Sequence, residues 1–70
     1  MDNIENKISN SIKQARKDAK LSQTELANRI GVTHAAISYW ENGVNIPNVK
    51  DCWLIANELS ISIDELVGKE

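Results

Sequence analysis

The sequence predicts an all-α fold of five helices, and three observations support that prediction. Apolar residues recur three and four positions apart in several segments, which is the spacing of one helix face. Serine, threonine and asparagine residues precede these segments, as N-cap residues do. Between two of the segments, Gly31 is placed to form a tight turn. We expect no β-sheet.

Two short helices that cross through this turn are the most informative prediction. They are expected over about residues 22–30 and 33–41. A turn of about three residues usually needs φ > 0, which glycine adopts without steric cost. The apolar faces consist of Leu26, Ala27 and Ile30 in the first helix, and Val32, Ile37 and Trp40 in the second. Such a unit can hold its second helix out from the protein and into the major groove of DNA.

Capping residues mark the ends of these two helices. Ser22 and Glu25 have the spacing of a capping box, in which each side chain accepts a hydrogen bond from the other residue's backbone amide. Thr33 is the expected N-cap of the second helix. Asn42 followed by Gly43 is a typical C-terminal stop.

Three further helices are predicted outside the central unit. The first covers residues 4–18, and its apolar face contains Ile4, Ile8, Ile12 and Ala15. The fourth begins after Asn48 and ends near Leu59, and the residues expected to be buried are Val49, Cys52, Trp53, Ala56 and Leu59. Ser62 is expected to cap a last helix from Ile63 to Val67, closed by Gly68.

Composition and length predict a single domain over residues 1–70, with residues 1–3 disordered. The hydrophobic fraction of 41% allows one modest core. The single cysteine, Cys52, excludes an intramolecular disulfide, and no apolar run reaches the length of a signal peptide or a membrane span. We therefore expect a cytoplasmic protein without a membrane partner.

The distribution of charge favours a nucleic-acid partner more than the net charge of −2 does. Residues 7–29 contain six lysines and arginines and two acids, whereas residues 41–70 contain two lysines and six acids. The chain is therefore electrically polarised, and we expect its basic part to face DNA.

Enzymatic and metal chemistry is not indicated. His34 and Cys52 lie on different predicted helices without metal-ligand spacing, and no third group orients them as a nucleophilic pair. No glycine-rich phosphate loop is present. We expect no cofactor, no bound metal and no catalytic residue, and we assign Cys52 to the core.

Several short motifs occur together in one order and register, from Leu21-Ser22-Gln23 and Glu25-Leu26-Ala27 through Gly31-Val32, Ile37-Ser38 and Trp40-Glu41-Asn42-Gly43 to Pro47 and Ile55-Ala56. With this combination the chain resembles the lambda-repressor-like DNA-binding domain of the Cro and phage-repressor type, the XRE family. The resemblance covers about residues 4–67. It implies a central helix-turn-helix whose second helix reads DNA.

The resemblance also implies which residues meet DNA. The base-reading positions of the second helix correspond to His34, Ala35, Ser38 and Tyr39. The residues expected to contact the phosphates of the DNA backbone are Arg16, Ser22, Gln23, Asn42 and Asn45. Two alternatives stay open: Asn42 can serve only as a helix C-cap, and the exposed residues of the second helix can be merely solvated.

Two structural features follow from the same resemblance. Arg16 is expected to form a half-exposed ion pair with Glu41, worth about 0–1 kcal/mol, while also being free to touch a phosphate. Relatives commonly have glycine where Lys20 stands, so Lys20 is expected in a left-handed conformation that costs roughly 1 kcal/mol.

A weak homodimer that forms on the operator is the expected assembly. In relatives the contact lies near the last two helices, which here implies Leu59, Ile61, Ile63 and Glu65. The other candidate surface is the apolar set Val44, Ile46, Trp53 and Leu54, which ordinary exposure explains equally well.

The implied function is a sequence-specific transcriptional regulator, a repressor that binds a palindromic operator in double-stranded DNA. The alternative is a protein-binding module, such as an antitoxin that also binds DNA. The chain is either a stand-alone Cro-type protein or the DNA-binding domain of a longer repressor.

Overall fold

The computed structural model describes residues 4–67, with side chains from residue 6 onward. It contains five helices, α1 (Ile4–Asp18), α2 (Gln23–Ile30), α3 (His34–Glu41), α4 (Val49–Leu59) and α5 (Ile63–Val67), and residues 4–67 form no strand. The all-α prediction is confirmed, with α2 and α3 each starting one residue after the predicted boundary. The expected disorder of residues 1–3, the packing of the Ile4 side chain and the closing role of Gly68 lie outside the described residues.

The core lies where α1 packs against α3, α4 and α5, and where α2 packs against α3 and α4. Five large side chains are fully buried there: Ile12, Leu26, Ile37, Ile55 and Leu66. Burying an aliphatic side chain of this size contributes about 1.5–3 kcal/mol, so these residues hold the short helices together. No helix in the part of the chain described is long and apolar enough to cross a membrane.

The buried face of α4 differs from the prediction. Val49 and Trp53 are 87% and 58% exposed, whereas Ile55 is fully buried beside Ala56 and Leu59. The buried residues Ile55, Ala56 and Leu59 and the half-buried Cys52 follow the spacing of one helix face, and Val49 and Trp53, which the prediction wrongly included, lie beside that face. Packing against α1 and α2 selected the face that contains Ile55.

Left-handed backbone conformations close four helices, and at α3 the residue is Gly43 (φ 74°), at the predicted stop. Gly31 (φ 77°) ends α2 as predicted, and its amide donates to the Ala27 carbonyl at 2.9 Å. Lys20 has φ 62°, which confirms the strained conformation expected after α1. Ser60, with φ 57°, ends α4 in the same way and was not predicted. The chain thus uses a residue with a side chain at two turns where glycine would fit better.

Candidate nucleic-acid interface

Helix α3 has a buried side and an exposed side. Ile37, Trp40 and Glu41 are buried, which fixes the helix to the body of the domain. His34, Ala35 and Tyr39 are exposed and Ser38 is half-buried, so the four predicted base-reading residues are accessible to different degrees. The helix therefore presents small and polar groups outward, with no lysine, arginine or carboxylate among these four residues.

The turn before α3 sets how the helix projects. Thr33 is its N-cap, and the threonine hydroxyl accepts a hydrogen bond from the Ala36 amide at 3.0 Å. The small residue Ala27 is buried in α2, the helix that packs against α3. The cap satisfies a backbone amide in the first turn of α3, which carries His34, and so fixes where that turn begins.

A buried ion pair lies beneath the opposite end of α3. The Arg16 Nε donates to Glu41 Oε2 at 2.6 Å, and a terminal nitrogen of Arg16 donates to Glu41 Oε1 at 3.0 Å. The side chains of Arg16 and Glu41 are 12% and 1% exposed, so the predicted pair is confirmed but its expected half-exposure is wrong. The pair is buried because it joins the facing sides of α1 and α3, which pack together.

The carboxylate of Glu41 is held in its ionised form. Burial alone would raise its pKa, but hydrogen bonds from Arg16 and Gln23 and the positive charges of Arg16 and Lys13 outweigh burial, so the pKa lies below its ordinary value. The hydrogen bond to Glu41 raises the pKa of Arg16, against the opposing effect of burial. Both members of the pair are therefore charged at neutral pH.

Gln23 extends this pair into a network that reaches the exposed end of α3. The Gln23 Nε2 donates to Glu41 Oε1 at 3.0 Å, and its Oε1 lies 2.9 Å from His34 Nε2. We call Arg16, Glu41, Gln23 and His34 the polar network. Sequence reasoning predicted the pairing of Arg16 with Glu41 but missed the link to His34, because no sequence spacing relates positions 23 and 34 across a turn.

The predicted phosphate-binding residues fall into two groups. Ser22 and Gln23 lie at the start of α2, where the capping box is confirmed: the Ser22 hydroxyl accepts from the Glu25 amide at 3.0 Å, and Glu25 accepts from the Ser22 amide at 2.8 Å. The first hydrogen bond along α2 runs from Leu26 to Ser22. Backbone amides at such a helix start point outward and favour an anion.

The other predicted phosphate-binding residues differ in how far their polar groups are already hydrogen-bonded within the protein. Asn42 is the C-cap of α3 and also donates to the Ser38 hydroxyl at 3.3 Å, whereas Asn45 is exposed in the following loop. Arg16 donates two hydrogen bonds to Glu41 and a third to the Leu21 carbonyl oxygen at 2.8 Å. Most of the Arg16 guanidinium is thus engaged inside the protein.

The predicted dimer residues lie at the junction of α4 and α5. Ile63 is 42% exposed and Leu59 is 9% exposed, so Leu59 offers the least surface. Glu65 is part of a capping box with Ser62, whose amide donates to its carboxylate at 3.0 Å. Leu59, Ile61 and Glu65 also line a shallow groove of about 360 Å³ against α1.

The alternative apolar surface is largely exposed. Val44 is 65% exposed and Ile46 is 44% exposed. Val49 and Trp53, a few positions later in the sequence, are also exposed apolar residues. Leu54 does not belong to this surface, because it is half-buried and packs against the core.

Cys52 has the surroundings of a structural residue. Burial, and to a lesser degree the charge of Asp51, raise the pKa of its thiol, which lies 3.6 Å from the Pro47 carbonyl oxygen. Within residues 4–67, no three histidine, cysteine or acidic side chains come together in a group able to hold a metal ion.

Curated proteins with similar sequences are regulators of transcription. The chain is 37% identical over 59 residues to the transcriptional activator BcrR of Enterococcus faecalis, which covers 84% of this chain and 29% of BcrR. It is 36% identical to the regulator YqaE of Bacillus subtilis, over 90% of this chain and 54% of YqaE. It is 33% identical to the CTXphi phage transcriptional repressor RstR of Vibrio cholerae, over 90% of this chain and 56% of RstR. The chain thus spans at most slightly more than half of these relatives.

Solved structures and a family model agree with these sequence matches. The P22 c2 repressor, solved in complex with a synthetic operator, superposes with a TM-score of 0.84 at 30% identity over 90% of this chain and 96% of that one. A transcriptional regulator from Vibrio cholerae matches with a TM-score of 0.83 at 29% identity, over 93% of this chain and 36% of that one. The model of the HTH_3 helix-turn-helix family matches residues 12–66. This chain therefore belongs to the HTH_3 family of lambda-repressor-like helix-turn-helix domains.

Proposed function

We propose that this chain is a sequence-specific DNA-binding regulator of transcription that places α3 in the major groove. The observation that carries the proposal is the construction of α3, whose exposed polar side is held in place by a buried ion pair on its other side. The same fold occurs in the P22 c2 repressor, which was solved with operator DNA. A regulator of this kind acts where the DNA is, in the cytoplasm.

Base reading is assigned to His34, Ala35, Ser38 and Tyr39. Histidine, serine and tyrosine can exchange hydrogen bonds with base edges, and the Ala35 methyl group can contact the methyl group of thymine. Each well-formed base contact discriminates by about 1–3 kcal/mol. With no charged reader among the four, we expect specificity to come from hydrogen-bond matching and methyl contacts.

Phosphate binding is assigned to both flanks of α3. On one flank, Ser22 and Gln23 present the start of α2, and on the other flank Asn42 and Asn45 follow the recognition helix. Phosphate contacts set the register of the protein on DNA but carry no base information. Arg16 contributes there mainly by its charge, since its donors are engaged within the protein.

Dimeric binding to a palindromic operator completes the proposal. One domain of this size covers few base pairs, so two copies related by a two-fold axis would read half-sites about 34–36 Å apart. We assign the contact to Ile61 and Ile63, with Leu59 and Glu65 at its edge, and expect a weak dimer that forms on the operator. Among the named matches RstR and the c2 protein are repressors and BcrR is an activator, and we propose repression, as in the first two.

Selection of bound duplexes from a random DNA pool tests this function. The wild-type chain is expected to enrich a palindromic sequence. His34→Ala and Tyr39→Ala should each relax preference at one or two positions per half-site, at a cost of about 1–3 kcal/mol. Asn57→Ala, at an exposed site on α4, is the control and should leave the selected sequence unchanged. If no sequence is enriched, the proposed function is wrong.

A single substitution tests the dimer. Ile63→Asp places a charge at an exposed apolar residue without disturbing the core, so the fold should remain. We expect it to abolish cooperative occupation of two half-sites while single half-site binding survives. Sedimentation together with a binding isotherm would measure both effects. A dimer that survives this change, and is lost in Trp53→Asp, would move the interface to the surface around Val44, Ile46 and Trp53.

A further inference from the structure

The two sides of helix α1 differ in charge. The side toward α5 contains Asp18, which lines the groove of about 360 Å³ together with Glu65. Another side contains Asn10, Lys13 and Lys17, which are three and four residues apart and therefore share one helix face. We call Asn10, Lys13 and Lys17 the α1 stripe. Its charge is positive, whereas the groove side is lined by two carboxylates.

The α1 stripe lies beside the end of α3, where Asn42 is assigned to a DNA phosphate. Helices α1 and α3 pack against each other, and Asn10 and Asn42 line the same hollow of about 300 Å³ between them. Lys13 is close enough to Glu41 for its charge to act on that carboxylate. Glu41 is already paired with Arg16 at 2.6 Å. The stripe therefore continues the proposed phosphate-binding flank from α3 onto α1.

The polar groups of the stripe are accessible to a ligand. Asn10 and Lys17 are exposed, and Lys13 is half-buried. Among the described side chains, neither lysine forms a salt bridge. No acidic residue lies between residues 6 and 17 of the sequence. Two lysines without a salt bridge, next to a flank assigned to DNA, are complementary in charge to the phosphates of the DNA backbone.

We propose that the α1 stripe is a further phosphate-binding site, which holds the DNA backbone next to the phosphate bound at Asn42. This inference rests on the DNA binding that the proposed function assigns to the chain. Lysine binds phosphate as a point charge, and the asparagine amide donates hydrogen bonds. The stripe is about 10 Å long, and phosphates of one strand are about 3.4 Å apart along the DNA axis, so it can reach more than one phosphate. Because phosphates carry no base information, the stripe should increase affinity without changing sequence preference.

The salt dependence of binding to a mixed-sequence duplex provides the first test, with Lys17→Gln and Lys7→Gln as a matched pair. Both lysines are exposed on α1, but Lys7 shares the face of Ser11 and Gln14, which line the groove toward α5. Lys17→Gln should reduce the salt slope by about 0.9 for each bound domain, which is about eightfold in affinity at about 0.1 M salt. Lys7→Gln should change both values much less. Equal changes in the two variants would indicate general attraction and overturn the proposal.

Ethylation interference on the duplex selected from a random pool provides the second test, because an ethylated phosphate loses its charge. Wild type should show an interfering phosphate that is lost in both Lys17→Gln and Asn10→Ala, next to one that is lost in Asn42→Ala. Asn10→Ala changes no charge, so it should remove this signal while leaving the salt slope nearly unchanged. Lys7→Gln should keep every signal of the wild type. The proposal is wrong if Lys17→Gln and Asn10→Ala also keep every signal.

These results separate this inference from the proposed function, since the salt test needs no selected sequence. If a palindrome is selected but Lys17→Gln behaves like Lys7→Gln, the proposed function stands and the role of the α1 stripe is wrong. If the two salt slopes differ as expected but no sequence is enriched, the stripe binds phosphate and the sequence-specific function has failed. If wild type binds no duplex, both are wrong.

Discussion

Two arginine–glutamate pairs join helices in this domain, and they differ mainly in burial. Arg16 of α1 binds Glu41 of α3 at 2.6 Å, with side-chain exposures of 12% and 1%. Arg29 of α2 binds Glu58 of α4 at 3.0 Å, with exposures of 55% and 30%. The same two residue types therefore form a pair inside the protein and a pair at its surface.

The difference shows what an ion pair needs in each setting. Burying two charges is costly, and in the interior the cost is offset only when further hydrogen bonds satisfy both groups. The inner pair has them, from Arg16 to the Leu21 carbonyl and from Gln23 to Glu41. The outer pair competes with water and salt for its partners and contributes about 0–1 kcal/mol. The inner pair positions α3, whereas the outer pair leaves the fold nearly unaffected.

The largest expected effect comes from breaking the inner pair. Arg16→Met leaves the Glu41 carboxylate buried without its partner, which should lower the free energy of unfolding by about 3–5 kcal/mol. A domain of this size has little more stability than that, so much of the protein would unfold. Urea denaturation followed by tryptophan fluorescence would measure the loss. Arg29→Met is the matched control, and equal losses in the two variants would contradict the comparison.

A double variant sharpens the same test. Arg16→Met together with Glu41→Leu removes both buried charges and replaces them with apolar groups, so part of the lost stability should return. The coupling energy from the double-mutant cycle should be well above the corresponding value for Arg29 and Glu58. Similar coupling energies would show that burial does not decide the strength of these pairs.

Acid is expected to weaken the inner pair next. The pKa of Glu41 is lower in the folded protein than its ordinary value of 4.5, so the folded state binds fewer protons than the unfolded state. The resulting stability is fully present above about pH 4.5 and is lost as the pH falls through the folded pKa. Unfolding free energies measured against pH should fall less steeply in Glu41→Gln than in wild type. Glu58→Gln gives the background for a surface carboxylate, and a matching slope in both variants would argue against the assignment.

Breaking the outer pair should have a small effect. Arg29→Met is expected to cost at most about 1 kcal/mol, because water replaces the lost partner of Glu58. Urea denaturation at low and high salt would test this directly. The cost should shrink as salt increases, since ions screen exposed charges. A cost above 2 kcal/mol that is independent of salt would be inconsistent with a surface pair.

The smallest expected effect is a gain at the turn that supports the inner pair. Lys20, with φ 62°, precedes Leu21, whose carbonyl accepts from Arg16. Lys20→Gly should relieve the left-handed strain and raise the free energy of unfolding by about 0.5 kcal/mol, after the greater entropy of glycine in the unfolded chain is subtracted. Ser60→Gly, at φ 57°, is the companion variant and should gain a similar amount. Thermal denaturation would detect both shifts, and a loss in Lys20→Gly would mean that the lysine side chain makes a stabilising contact.

Local sequence signals predicted the helices well. The capping box of Ser22 and Glu25, the N-cap Thr33 and the left-handed Gly31 all depend on residues a few positions apart. The four exposed or half-exposed positions of α3 likewise follow from its short buried face. Their contact with bases stays a prediction.

The sequence predicted two features of α4 less well, namely which side chains are buried and how the helix ends. In α4 the apolar residues Val49 and Trp53 adjoin the buried face, so apolar character alone did not exclude them from the predicted core, whereas Ile55 lies within that face and is buried. The αL conformation of Ser60 also went unpredicted, because the residue type does not require it. At Ser60 the fold imposes a backbone conformation that is locally unfavourable for a residue with a side chain.

The sequence alone determined the helix boundaries, the tight turn and the family, because caps, glycine and apolar spacing act over a few residues. Only the tertiary structure decided that Arg16 and Glu41 are buried together and that Gln23 connects them to His34. These side chains come from α1, α2 and α3, and their distances depend on how the three helices pack. Contacts between residues this far apart in the sequence cannot be read from local patterns, so the link from Arg16 to His34 follows only from the packed structure.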